Sequence, residues 1–135
     1  MATYVLDSYA MLAFFRNEDG AEKVEQILNE TAEGKHHLYM TYMNAGEVFY
    51  MAHRKDGAEK AALVWKALHQ FPIHIIEAGS ELTLKAANIK AQHKLSFADA
   101  FAAALTIQKK AVLLSGDLEF QSLSAEPGFK VKYIM

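Results

Sequence analysis

The chain has no cysteine among its 135 residues, which excludes disulfide staples and thiolate metal sites and leads one to expect a protein of the reducing cytoplasm. It has no apolar run approaching the roughly 20 residues that a membrane span needs. Its opening MATYVLDS carries neither the basic stretch nor the long apolar stretch of an export signal. Positive charge is not in excess either: the formal net charge is −2 and the sequence pI about 6.3. Any contact with nucleic acid must therefore rest on a local patch. Repeats, low-complexity segments and linkers are absent as well. What is present is 52% hydrophobic residues, enough for one core in a chain too short for two comfortable domains, so residues 1–135 read as a single domain.

Short apolar runs alternate with longer amphipathic ones. Tyr4-Val5-Leu6 reads as a strand ended by Asp7, and Ser8 to Arg16 (SYAMLAFFR) has helical apolar spacing. Asp19-Gly20 opens a second helix with Val24, Ile27 and Leu28 on one face, ending near Gly34. Leu38 to Thr41 is a second strand, and Asn44 starts a helix running to about Arg54. Ala58 to Gln70 forms another helix, with Ala61, Ala62, Leu63, Trp65 and Leu68 for burial, stopped by Phe71-Pro72. Ile73 to Ile76, Ala111 to Leu114 and Val131 to Ile134 complete the strands, and Ser80 to His93 and Ser96 to about Lys109 the helices. This alternation predicts an α/β fold, a three-layer α/β/α sandwich with a mainly parallel central sheet.

Four acids stand at the ends of these elements. Asp7 follows the first strand and Asp117 the fourth, while Glu47 and Asp99 fall in the first turns of two predicted helices. Ligands of open α/β sheets bind outside the carboxyl ends of the strands, so the four could meet at one edge. Each also has a purely structural reading. Asp7 and Asp117 suit helix caps or turns, and Asn44-x-x-Glu47 and Ser96-x-x-Asp99 have the spacing of a capping box. Their surroundings weigh against caps alone. In segments as apolar as VLD, NAGEVFYMA, FADAFAAA and LLSGD, an unpaired carboxylate costs on the order of several kcal/mol and calls for a cation or strong donors. Without cysteine or an HExxH pair, a hard oxygen-ligated ion fits better than zinc: Mg²⁺, with Mn²⁺ able to substitute. Helix amino termini would keep Glu47 and Asp99 ionised, and mutual repulsion would strain the metal-free site. A cation held this way takes substrate phosphate oxygens and points to phosphodiester hydrolysis.

Taken in order, VLDSYAMLAFF, NAGEVFYMA, LSFADAFAAALT and AVLLSGDLEF resemble the four acidic motifs of the PIN-domain family, in the arrangement of the VapC-like toxin ribonucleases. The resemblance spans nearly the whole chain. It implies an α/β/α fold, a Mg²⁺ or Mn²⁺ site, endoribonuclease activity, a homodimer and, often, inhibition by a small cognate antitoxin of a type II toxin-antitoxin system. It also implies that Asp7, Glu47, Asp99 and Asp117 are the metal-binding and catalytic acids. Ser8 matches the hydroxyl residue that commonly follows the first acid, and Ser115 the one before the last. Where the family often carries an aspartate two residues beyond the last acid, this chain has the longer Glu119.

Arg16, Arg54, Lys55, His93 and Lys94 are candidates for a positive rim that holds RNA phosphates, Lys94 lying five residues before Asp99. The neighbours His36 and His37 point to opposite faces of a strand and do not share a metal. Tyr39, Met40, Tyr42, Met43, Phe49, Tyr50 and Met51 form a cluster expected to be mostly core, its exposed members and the Leu63, Trp65 and Leu68 helix being candidates for a dimer seam or antitoxin groove. Two rivals remain. A phosphoryl-transfer or phosphatase domain with an acceptor aspartate wants neighbouring acids at the first strand and a lysine after a later one, and VLDSYA and AVLLSGD supply neither. A non-catalytic PIN-like binding module has no need to retain four mutually repelling acids.

Overall fold

Along each central strand, successive residues enter different cores. In the computed structural model, which describes all 135 residues, Leu6, Leu38, Met40 and Leu114 join one apolar cluster, while their neighbours Val5, Tyr39 and Leu113 pack into another. Period-two alternation of this kind is what a sheet covered on both faces requires. The strands are β1 (Ala2–Leu6), β2 (His36–Thr41), β3 (His74–Ile76), β4 (Val112–Ser115) and β5 (Val131–Tyr133). They pair in the order β3-β2-β1-β4-β5, every pair parallel.

Helices α1 (Ser8–Phe15), α2 (Ala21–Ala32), α3 (Tyr42–Asp56) and α4 (Ala58–Gln70) contribute to the first core. Helices α5 (Ser80–Gln92) and α6 (Phe97–Gln108), with a 3-10 helix at Leu118–Leu123, contribute to the second. The chain thus steps from β1 to β2 to β3 under one set of helices and returns past β1 to β4 under the other. Reversing direction and face together keeps the crossovers of one hand. The reversal places a switch point between β1 and β4, where the carboxyl ends of neighbouring strands diverge into separate helices. Ala100, Ala102, Ala103 and Ala104 are all fully buried, and these small side chains let α6 lie against β1, β2 and β4.

Two sequence expectations need correction. Helix α3 begins at Tyr42, not Asn44, because Thr41 caps it: the Asn44 N–H donates to Thr41 Oγ1 at 3.0 Å. Asn44 itself is fully buried, and Glu47 lies beyond the first turn. On α4 the buried stripe is Ala61, Val64 and Leu68, a three-four spacing that leaves Ala62 and Leu63 outside it, Leu63 at 60% exposure. Leu68 is fully buried and so is core rather than seam.

Candidate active site

Strand register builds the base of the site. Leu6 pairs with Leu114, so the residues that follow, Asp7 and Ser115, stand side by side at the switch point. The Ser115 hydroxyl donates to Asp7 Oδ2 at 2.5 Å, and Asp7 Oδ1 accepts from the Ala10 N–H at 2.9 Å, capping α1. Asp7 has 0% exposure, and both its oxygens are engaged. Burial pushes its carboxyl up to about 7 against the pull of those bonds, with the charges of Asp99 and Asp117 adding to the rise. Ser115 Oγ also accepts from the Asp117 N–H at 3.0 Å. One serine therefore ties the ends of β1 and β4 together.

Above this base the other acids converge. Carboxylate oxygens of Asp99, Asp117 and Glu119 lie within 4.8 Å of one another. Asp99 occupies the first turn of α6, where its N–H donates to Ser96 Oγ at 3.1 Å. Burial raises its carboxyl to about 7, helped by the charge of Asp117 and then by Glu47 and Glu119, while the Ser96 bond opposes the rise. Asp117 Oδ1 accepts from the Glu119 N–H at 2.9 Å and so caps the 3-10 helix that points Glu119 inward. Asn44 Nδ2 donates to the Ala98 carbonyl at 3.1 Å, pinning the start of α3 to the start of α6.

Glu47 reaches the same place from the second turn of α3. Its Oε1 accepts from the Ser8 hydroxyl and its Oε2 from the Tyr50 hydroxyl at 3.4 Å. Two hydroxyls, rather than the helix amino terminus expected from sequence, face this carboxylate. Glu47, Asp99, Asp117 and Glu119, together with Ser8, Tyr9, Leu12, Met51 and Ser96, line a cavity of about 250 Å³ that contains no lysine, arginine or histidine. A larger depression of about 670 Å³ at Asn17 to Lys23, Ile134 and Met135 also contains acids, but they do not converge at ligand distances.

Asp7, Asp117 and Ser96 do cap, yet the carboxylates of Asp99 and Asp117 also converge with Glu119. Such a donor set, all oxygen and all anionic, fits a hard divalent cation. Of the sequence-derived cations, Arg16, Arg54 and Lys94 all lie outside the cavity lining. Arg54 stacks its guanidinium 5.0 Å from the Tyr50 ring centre and so connects to Glu47 through that tyrosine. Arg16 follows the last turn of α1, Lys94 is exposed, and His93 pairs with Glu126 at 3.1 Å. The sequence reading passed over Tyr9. Its ring covers Gly116, where an added Cβ would lie 2.2 Å from it, and the signal was the glycine in SGD.

The sequence matches the model of the PIN domain family over residues 4–126. No curated protein matches it in sequence comparison. Several solved structures share the fold at low identity. A DNA-bound VapBC from Salmonella typhimurium superposes with a TM-score of 0.76 at 14% identity, covering 100% of both chains. The Mycobacterium tuberculosis VapC20, described as a sarcin-ricin loop cleaving toxin, gives 0.72 at 15%, covering 91% of this chain and 95% of its own. VapBC-1 from nontypeable Haemophilus influenzae gives 0.70 at 18%, covering 98% of each.

Proposed function

The chain belongs to the PIN domain family, and from that premise we propose that it is a divalent-metal-dependent endoribonuclease, the toxin of a type II toxin-antitoxin pair. The observation that carries the reading is the convergence of Asp99, Asp117 and Glu119 within 4.8 Å, beside Glu47 in a cavity without a single basic side chain. Burial, and then the charges of Asp117, Glu47 and Glu119, raise the Asp99 carboxyl, so a cation among these acids would relieve both. Asp99, Asp117, Glu119 and Glu47 would hold the ion, Mg²⁺ with Mn²⁺ as a substitute, and Asp7 would support them from below. A divalent cation bound there supplies Lewis acidity toward a phosphodiester and its attacking water.

The chain's own residues do the rest. Ser8 and Tyr50 fix the two oxygens of Glu47, leaving it little freedom to rotate away from a scissile phosphate. Ser115 holds the Asp117 backbone to Asp7, and Asn44 locks α3 to α6, so acids from four separate segments keep their spacing. Arg54, Arg16 and Lys94 supply the outer contacts to RNA phosphates. Several of the fold relatives are VapBC proteins, one of them described as belonging to a family of toxin-antitoxin systems, and VapC20 is described as a sarcin-ricin loop cleaving toxin. By analogy this chain acts on RNA, assembles as a homodimer and is held by a cognate antitoxin. No helix is long and apolar enough to cross a membrane, and we place the activity in the cytoplasm.

The acceptor-aspartate alternative loses ground here. Asp7, the residue it needs as nucleophile, is fully buried with both oxygens occupied. The test is cleavage of a mixed RNA panel by the wild type, Asp7→Asn and Asp99→Asn, with Mg²⁺ or Mn²⁺ and with chelator. Cutting that needs metal and vanishes in both folded variants is expected. Cutting that persists in chelator would overturn the proposal, as would a folded Asp99→Asn that cuts like the wild type.

A further inference from the structure

Two buried side-chain polar atoms have no hydrogen-bond partner, Nδ1 of His36 and the hydroxyl oxygen of Tyr133. Native proteins satisfy nearly all such atoms, and an exception usually marks strain, function or a missing ligand. His36 opens β2, at the end of the strand away from the acids. Tyr133 closes β5, at the end where the acids gather.

Its position follows from the ladder. Tyr133 pairs with Ser115, the serine that bonds both the Asp7 carboxylate and the Asp117 N–H. The Ile134 N–H extends the pairing by donating to the Ser115 carbonyl at 3.1 Å. Alternation places Tyr133 on the same face as Val131, which packs with α6 and the 3-10 helix. Tyr133 thus stands beside the turn that carries Asp117 from β4 into the 3-10 helix. Burial, and then the charge of Asp117, raises the Tyr133 phenol above its ordinary range. Asp117 commits Oδ1 to the Glu119 N–H, and its Oδ2 accepts no hydrogen bond.

We propose that the Tyr133 hydroxyl is a positioning donor for Asp117, bonding its free carboxylate oxygen when the acids take up a divalent cation. The inference rests on the metal-site reading above. Donors of this kind fix the orientation of a ligating carboxylate and sharpen affinity without touching the ion. In the metal-free protein the hydroxyl is unpartnered, so its removal sacrifices no bond.

Tyr133→Phe deletes that oxygen and keeps the ring. The full-length wild type and variant are compared by melting temperature in chelator and by calorimetric titration with Mn²⁺ at one pH. The expected result is a split: an unchanged or higher metal-free melting temperature, with Mn²⁺ affinity weakened about 10- to 100-fold, the worth of one hydrogen bond to a charged ligand. Equal Mn²⁺ affinity in the two proteins overturns the inference and leaves the metal site standing. A metal-free melting temperature that falls in the variant also overturns it, because the hydroxyl would then be satisfied structurally, for instance by a trapped water. A wild type that binds no Mn²⁺ removes the metal reading first and this inference with it.

Discussion

Asp7 and Asp99 are both pushed up to about 7, yet they belong to different kinds of place. Asp7 lies at the dry base between β1 and β4, each oxygen answered by a donor, Ser115 or Ala10. Asp99 lies at the mouth, in the cavity wall, where burial and then the charges of Asp117, Glu47 and Glu119 push it up and only the Ser96 side chain opposes them. On the proposed reading the first carboxylate supports the frame and the second helps to hold the cation. The same shift therefore predicts opposite consequences when each side chain is changed.

The sharpest way to break this contrast is to remove the two groups in turn. Asp99→Asn should abolish RNA cleavage, by about 10²- to 10⁴-fold, while relieving repulsion and raising metal-free stability by roughly 1 kcal/mol, about 4 °C for a chain of this size. Asp7→Ala should lose cleavage and stability together. It deletes the α1 cap, worth roughly 0.5–2 kcal/mol, and leaves the buried Ser115 hydroxyl without its acceptor, at roughly 1–3 kcal/mol. Urea unfolding in chelator reads both. A destabilised Asp99→Asn beside an unaffected Asp7→Ala would invert the assignment of frame and mouth.

Next in size is the response to pH, which treats the two acids alike until metal is added. An unfolded aspartate titrates near 3.9, and both native carboxyls near 7, so between these values the native state binds more protons than the unfolded one. Metal-free stability should therefore be greatest at and below about pH 4, fall as pH rises toward 7, and level off above it. Saturating Mg²⁺ should lift the melting temperature most above pH 7, where the acids are ionised, and so flatten or reverse the slope. Melting curves at pH 5 and pH 8, with chelator and with Mg²⁺, check the sign. A metal-free protein more stable at pH 8 than at pH 5 would mean that neither acid is held protonated by its surroundings.

Much of the frame was legible in the sequence, because short apolar runs ending in Asp or Ser mark strand ends wherever the sheet is covered on both faces. The runs at Tyr4, Leu38 and Ala111 led to strands within a few residues of their true bounds. The start of α3 was not legible. Thr41 belongs to β2 and caps α3 at once, and the Asn44-x-x-Glu47 spacing imitated a capping box three residues too late. The stripe on α4 was obscured by apolar residues on both sides of it. At the mouth, the four motif acids could be placed at one edge of the sheet, but which of them converge depends on register and on side-chain reach. That Asp7 is sealed beneath Ser115 follows from the Leu6 and Leu114 pairing, and that Glu119 swings in with Asp99 and Asp117 follows from the 3-10 turn. Neither pairing nor turn is written in local spacing.

The smallest expected effect tests where base and mouth meet. Gly116 separates Ser115, which belongs to the base, from Asp117, which belongs to the mouth, and the ring of Tyr9 covers it so closely that a Cβ would stand 2.2 Å away. Gly116 has no positive backbone φ, so alanine there meets no backbone penalty and acts only by displacing Tyr9. That ring is 40% exposed and lines the cavity, so its movement should leave the core intact and change stability by less than about 1 kcal/mol. Cleavage is expected to fall by about 10-fold through a misplaced wall of the cavity, with Mn²⁺ affinity nearly unchanged. If affinity for Mn²⁺ fell as far as cleavage, the turn itself would have moved, and base and mouth would be one rigid unit rather than two.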